Sequence, residues 1–156
     1  MNMDADYFET NRKSWNEKTK VHIASDFYDN ENFLMGKCTL KSIELGLLGD
    51  IRGKSILHLQ CHFGQDSISL SRMGARVTGT DISDEAIKQA RIFAETPHSG
   101  PPFICCNVYD LAAHSDAQFD IVFTSYGTIG WLPDLDRWAA IVSRFLKPGG
   151  RFIFVE

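Results

Sequence analysis

From Gly53 onward, short apolar runs alternate with stretches whose apolar residues recur at helical spacing, and few architectures accept that alternation. Ser55 to Gln60 reads as a first strand, turned by His62-Phe63-Gly64 into a helix over Gln65 to Met73, with Gly74 just past its end as a stop. Arg76 to Thr80 is a second strand. Ser83 suits an N-cap for a helix running to about Ala94, and Asp84 and Glu85 suit that helix's positive end. Thr96 to Pro102, with three prolines and a glycine, reads as a loop. Phe103 to Cys106 is a third strand and Phe119 to Ser125 a fourth. Leu135 to Leu146 carries Trp138, Ile141, Val142 and Phe145 on a helical period, which places Trp138 in the core. Lys147-Pro148-Gly149-Gly150 forces a turn before a fifth strand over Arg151 to Val155.

Strands that are apolar almost throughout belong to a parallel sheet covered on both faces. Right-handed crossovers then give an α/β fold, a Rossmann-like doubly wound parallel sheet with helices on both faces. Ahead of it, residues 1 to 50 read as a mainly helical segment in which Phe33, Leu34, Leu40, Ile43, Leu47 and Leu48 recur at roughly helical spacing, and Gly49-Asp50 breaks the pattern. Two parts follow: an N-terminal helical lid or cap over 1–50, and the sheet domain over 51–156.

The chain has 156 residues, an apolar fraction of 44%, a charged fraction of 23% and a formal net charge of -4, so a packed core is affordable and wholesale disorder is excluded. Acid and base are interspersed without a basic stripe, which argues against nucleic acid as a main partner. Met1 to Asp6 lacks the basic, apolar start of a secretory signal, and no apolar run approaches the roughly 20 residues needed to span a bilayer, so a cytoplasmic protein without a membrane anchor is expected. Cys38, Cys61, Cys105 and Cys106 form no Cys-x-x-Cys pair; reduced, mostly buried thiols are expected, with Cys105 and Cys106 on opposite faces of their strand.

Ligands of such sheets bind beyond the carboxyl ends of the strands, where the strand order reverses. The first strand ends in Gln60-Cys61-His62-Phe63-Gly64, a tight turn into a helix whose free amides can hold a ligand, with Gly64 admitting close backbone approach. The second ends at Asp81, 17 residues after Gly64 and near the separation of about 20 at which an acid meets a ribose. A dinucleotide fingerprint requires Gly-x-Gly-x-x-Gly at the first turn. Here the Gly-x-Gly-x-Gly frame holds Gln60, His62 and Gly64, so a nicotinamide enzyme is disfavoured. His58, Cys61 and His62 are metal-ligating types, but two share one tight turn, and histidines that stabilise that turn are the preferred reading; no metal is expected.

Four segments, in order, carry a resemblance. Ile56 to Asp66 resembles motif I of class I S-adenosylmethionine-dependent methyltransferases; Val77 to Ser83 resembles the acidic motif that follows; Phe119 to Ser125 is similar to the fourth-strand motif, and Leu146 to Phe152 to the turn into strand five. The resemblance implies S-adenosylmethionine as cofactor, with the Gln60, Cys61, His62 and Gly64 backbone at its methionine moiety. It implies Asp81 at the ribose hydroxyls, Ile82, Asn107 and Val108 at the adenine, and Ser125 and Tyr126 near the transferred methyl. An Asn side-chain oxygen at 107 can stand for the acid often found there. Trp15, Tyr28 and Trp131 are candidates for the pocket of a small-molecule acceptor. Trp15, His22, Phe27 and Tyr28 belong either to a lid or to plain packing of the helices on the sheet.

Three departures from the pattern stand out: His58 takes the place of the usual acid, and Gln60 and His62 take those of two usual glycines. A non-catalytic cofactor-binding or interaction domain is the alternative reading. No general base is singled out, although His22, Tyr28, His114 and Tyr126 have suitable side chains. The resemblance also implies a further helix and two strands after strand five, so the chain is expected to stop short of the complete fold, leaving an apolar strand edge unpaired.

Overall fold

The computed structural model describes residues 3–95 and 100–156, with side chains from residue 6 onward. Five strands form one sheet: β1 (Ser55–Leu59), β2 (Arg76–Asp81), β3 (Phe103–Cys105), β4 (Phe119–Ser125) and β5 (Leu146–Val155). All pair in parallel, in the order β3-β2-β1-β4-β5, so the order reverses between β1 and β4. The connections are α4 (Gln65–Arg72), α5 (Asp84–Ala94) and α6 (Leu135–Phe145), preceded by α1 (Met3–Ile23), α2 (Asn30–Leu34) and α3 (Ser42–Leu48). Single 3₁₀ turns occupy Asp26–Tyr28, Val108–Ala113 and Ile129–Trp131. This is the doubly wound Rossmann-like fold that the alternation implied.

Local chemistry explains the boundaries. Ser83 Oγ accepts from the Ala86 amide at 3.1 Å and opens α5; Asp134 Oδ1 accepts from the Arg137 amide at 2.9 Å and opens α6. Alternation along the strands then sends side chains to two layers. Leu57, Leu59 and Val122 meet Trp138, Val142 and Phe145 of α6 together with Tyr109 and Leu111. Ile56, Ile121 and Phe123 turn the other way, onto Leu70, Leu48 and Leu40. A third cluster joins Phe63, Ile87, Phe93 and Phe103 to Phe33 of α2, so the N-terminal helices share the core of the sheet. The ends of β1, β4 and β5 opposite the ligand side are pinned by Asp120, which accepts from the Ser55 amide (2.7 Å) and Lys147 Nζ (3.0 Å). The Ser55 amide, then Lys147, hold its carboxyl well below the usual carboxylate range.

Several expectations need adjustment. The first strand stops at Leu59, because Gln60 takes a left-handed φ of 53° that no strand accepts. The fifth begins at Leu146: Phe119 pairs with Leu146 and Ile121 with Arg151, so the Lys147–Gly150 turn is a bulge within the pairing, its Gly149 at φ 75°. The apolar spacing from Phe33 to Leu48 is divided between α2 and α3. Phe33, Leu40 and Leu48 are buried, whereas Leu34, Ile43 and Leu47 face outward. Only Cys61 and Cys106 are buried thiols; Cys38 and Cys105 are exposed. Of the expected 96–102 loop, residues 96–99 lie outside the described residues.

The sheet's tightest approach is at Gly79. A Cβ there would sit 2.6 Å from the Phe103 ring and 3.0 Å from Cys61 Sγ. Gly79→Ala is expected to lower stability by about 2 kcal/mol through overpacking, read by urea denaturation, and the added change Phe103→Leu should recover part of that loss.

Candidate functional site

Where the strand order reverses, the chain leaves β1 in a left-handed turn. Gln60 (φ 53°), His62 (φ 52°) and Gly64 (φ 79°) alternate with residues of ordinary conformation. These are the three positions of the Gly-x-Gly-x-Gly frame, so the backbone keeps the glycine conformation where the side chains are no longer glycine. For L-residues that conformation costs about 1–2 kcal/mol each. The turn is closed by Cys61 N–H donating to Thr80 O (2.9 Å) and Gly64 N–H to Cys61 O (3.0 Å).

Asp81, at the tip of β2, ties into that turn. One carboxylate oxygen accepts from the His62 amide (2.8 Å) and the other from the Ser83 amide (2.9 Å). Burial pushes its carboxyl up, against the downward pull of the backbone amides of Ser83, His62 and Ile82. A carboxylate offers about four lone-pair sites, so the pair of oxygens keeps acceptor capacity for hydroxyls.

A cavity of about 480 Å³ opens over the tips of β1, β2 and β4. Gln60, Cys61, His62, Asp81, Ile82, Asn107, Val108, Ser125 and Tyr126 all line it, as do Trp15, Tyr28 and Trp131. Gly64 does not. The space its side chain would fill is taken by the Phe103 ring (2.7 Å) and Ala90 (2.9 Å), so glycine is required there by positive φ and by core packing, not by ligand approach. Asn107 lines the wall with its side-chain oxygen already accepting from the Tyr109 amide (3.2 Å) as the cap of the 3₁₀ turn. His114 is exposed and lies outside the cavity lining.

The two non-glycine residues of the turn are held by contacts. Gln60 Nε2 donates to Thr128 O (3.1 Å). The His62 ring lies 4.3 Å from Phe63, 5.4 Å from Trp15 and 5.8 Å from Tyr28, centroid to centroid. Its Nε2 is 2.9 Å from His22 Nδ1, which also meets Tyr28 Oη at 3.1 Å. Trp15 in turn packs on Trp131 at 5.2 Å. Of the aromatics of the N-terminal segment, Trp15 and Tyr28 wall the cavity and pack on the sheet's loops. α1 is further fixed to the start of α5, where Asn16 Oδ1 accepts from Ser83 Oγ (2.7 Å) and Arg12 pairs with Asp84.

Sequence reasoning named Tyr126 but passed over Asp66 and Glu44 of the cavity wall and Glu156 near it. Asp66, in the first turn of α4, accepts from Thr39 Oγ1 (2.5 Å). Burial first, then Glu44, push its carboxyl up. Tyr126, itself at φ 52°, donates its hydroxyl to Glu44 of α3 (2.9 Å) and carries Lys41 Nζ 4.3 Å above its ring. Glu156 accepts from the amides of Gly127 (2.8 Å), Thr128 (3.2 Å) and Ile129 (3.3 Å) and so shapes the loop after β4. Only Asp66 had a local signal, as an acid at a helix's positive end; the others converge from distant parts of the chain.

The geometry agrees with the comparisons. Residues 57–154 match the methyltransferase domain family. A ubiquinone biosynthesis O-methyltransferase from Idiomarina loihiensis is 27% identical over 136 residues, 85% of this chain and 56% of that protein. Its counterpart from Alkalilimnicola ehrlichii is 33% identical over 107 residues, 69% and 43% of the two chains. Among solved structures, the DhpI-SAH complex superposes with a TM-score of 0.68 at 25% identity, covering 94% of this chain and 67% of that one. An S-adenosylmethionine-dependent methyltransferase from Mesorhizobium loti gives 0.63 at 28%, covering 78% and 54%. The chain belongs to the class I S-adenosylmethionine-dependent methyltransferase family. It spans about half the length of the relatives it matches.

Burial holds His58 and His62 down to about 3, with His22 adding to the effect at His62. Both are neutral in the folded chain near pH 7, whereas the unfolded chain takes up protons from about pH 6.5 downward. The stability present above that pH is therefore lost as pH falls from about 6.5 toward 3. The slope is about 1.4 kcal/mol per pH unit for each group. Urea denaturation at pH 7 and pH 5 should show this loss, and His58→Gln should lose about 2 kcal/mol less between the two.

Proposed function

We propose that the protein is an S-adenosylmethionine-dependent methyltransferase that acts on a small-molecule acceptor. The observation that carries the reading is the Asp81 carboxylate, held by the His62 and Ser83 amides at the edge of a cavity over the reversal of strand order. The cavity's size suits a ligand of nucleoside dimensions. In this reading Asp81 accepts from the ribose hydroxyls, Ile82, Asn107 and Val108 enclose the adenine, and the Gln60–His62 backbone runs along the methionine moiety. Ser125 and Tyr126 lie near the methyl, with Trp15, Tyr28 and Trp131 toward the acceptor.

The cofactor supplies a methyl group already activated by the sulfonium, so the chain needs no nucleophile of its own. Its residues bind, orient and exclude water. Trp15 and Trp131, in edge contact, supply an apolar wall, and aromatic faces favour a nearby cation. The helices over 3–48 act as a lid whose position is read through His22, Tyr28 and His62. No described helix is long and apolar enough to cross a membrane, and the four cysteines are unpaired; a cytoplasmic setting accords with both.

Calorimetric titration with S-adenosylmethionine tests the reading. Binding is expected, and Asp81→Ala should weaken it about tenfold or more, the loss of at least one hydrogen bond to a charged group. Absence of binding by the wild-type chain would overturn it. Methyl transfer to a member of an acceptor panel that includes phenols would establish catalysis; binding without any transfer would favour a binding domain.

A further inference from the structure

The acid that motif I usually carries is missing here. His58 stands in its place, fully buried, with Nδ1 2.7 Å from Ser67 Oγ, and burial keeps the ring neutral. Eight residues later Asp66 brings a carboxylate to the same cavity from the first turn of α4. Its hydrogen-bond partner, the Thr39 hydroxyl, is neutral. Of the two lysines of the cavity wall, Lys37 bonds Asp29 at 2.6 Å, and Lys41 lies over the Tyr126 ring, from where its charge lowers the Asp66 carboxyl without an ion pair. Among the described residues Asp66 makes no ion pair, and a buried carboxylate without one is costly.

A second observation concerns the same cavity. Thr128, 4% exposed and lining the cavity, has an Oγ1 without a hydrogen-bond partner, and so does Oε1 of Gln60, whose Nε2 bonds Thr128 O. The cavity wall therefore offers carboxylate, amide and hydroxyl oxygens. A primary ammonium has the complementary inventory, three donors and no acceptor. The turn from Gln60 to Gly64 leads from the Asp81 end of the cavity to Asp66, and a ligand whose ribose is at Asp81 lays its amino-acid portion along that turn.

Building on the adenosyl reading above, we propose that Asp66 binds the α-ammonium of the cofactor's methionine moiety. Gln60 Oε1 and Thr128 Oγ1 serve as further acceptors.

The test compares S-adenosylhomocysteine with its deamino analogue, in which hydrogen replaces the amino group, by calorimetric titration of the wild-type protein and of Asp66→Asn. The asparagine keeps the size and one acceptor oxygen, which Thr39 can use. The wild-type protein should prefer the amine-bearing ligand by about tenfold or more, and Asp66→Asn should lose most of that preference while binding the deamino analogue within about threefold of wild type. Equal weakening of both ligands, or an unchanged preference, overturns the assignment to Asp66 and leaves the adenosyl reading intact. Wild-type protein that binds neither ligand overturns both.

Discussion

One hydrogen bond organises the ligand side of this protein. The His62 amide donates to the Asp81 carboxylate at 2.8 Å, joining the turn after β1 to the tip of β2. For that amide to point at the acid, Gln60, His62 and Gly64 must all adopt positive φ. Two of them do so against the preference of L-residues, and the surrounding contacts offset the strain: Gln60 by bonding the Thr128 carbonyl, His62 by its place among Trp15, Tyr28 and Phe63. Strain of this kind survives only where packing over-determines the backbone.

The same side chains connect the N-terminal helices to the chemistry. In a glycine-only turn nothing would project from positions 60 and 62. Here His62 reaches His22, whose other contact is Tyr28, while Trp15 bridges His62 and Trp131. The segment before the sheet is thus coupled to the turn directly, through rings that share a cavity wall with Asp81. Loss of glycine removes backbone freedom and supplies a contact surface in exchange. Asp66 extends this pattern: from the first turn of α4 it bonds Thr39 ahead of α3, so two separate stretches of chain meet at one carboxylate.

Much of this was legible in the residues. The alternation of apolar strands and helices, Ser83 as a cap and Asp81 at the end of the second strand all depend on spacing and local chemistry, which the sequence carries openly. Less legible was anything governed by long-range approach. Gly64 looked like a point of entry for a ligand, yet its missing side chain makes room for Phe103, 39 positions away. Leu34, Ile43 and Leu47 had the spacing of a buried stripe and face outward, because α2 and α3 pack through Phe33 and Leu48 instead. The bulge at Lys147–Gly150 looked like a turn before a strand, since nothing local reveals that Leu146 already pairs with Phe119.

The sequence alone determined the order of elements, the parallel sheet and the two places, after β1 and after β2, where a ligand must be met; these follow from hydrophobic period and chain connectivity. Only the tertiary structure decided what lines the cavity opposite them. Glu44 and Asp66 come from two helices, and Glu156 holds the loop after β4; their placement depends on how helices settle on the sheet. A side chain's partner across tens of residues is set by that packing, and no spacing rule within one segment encodes it.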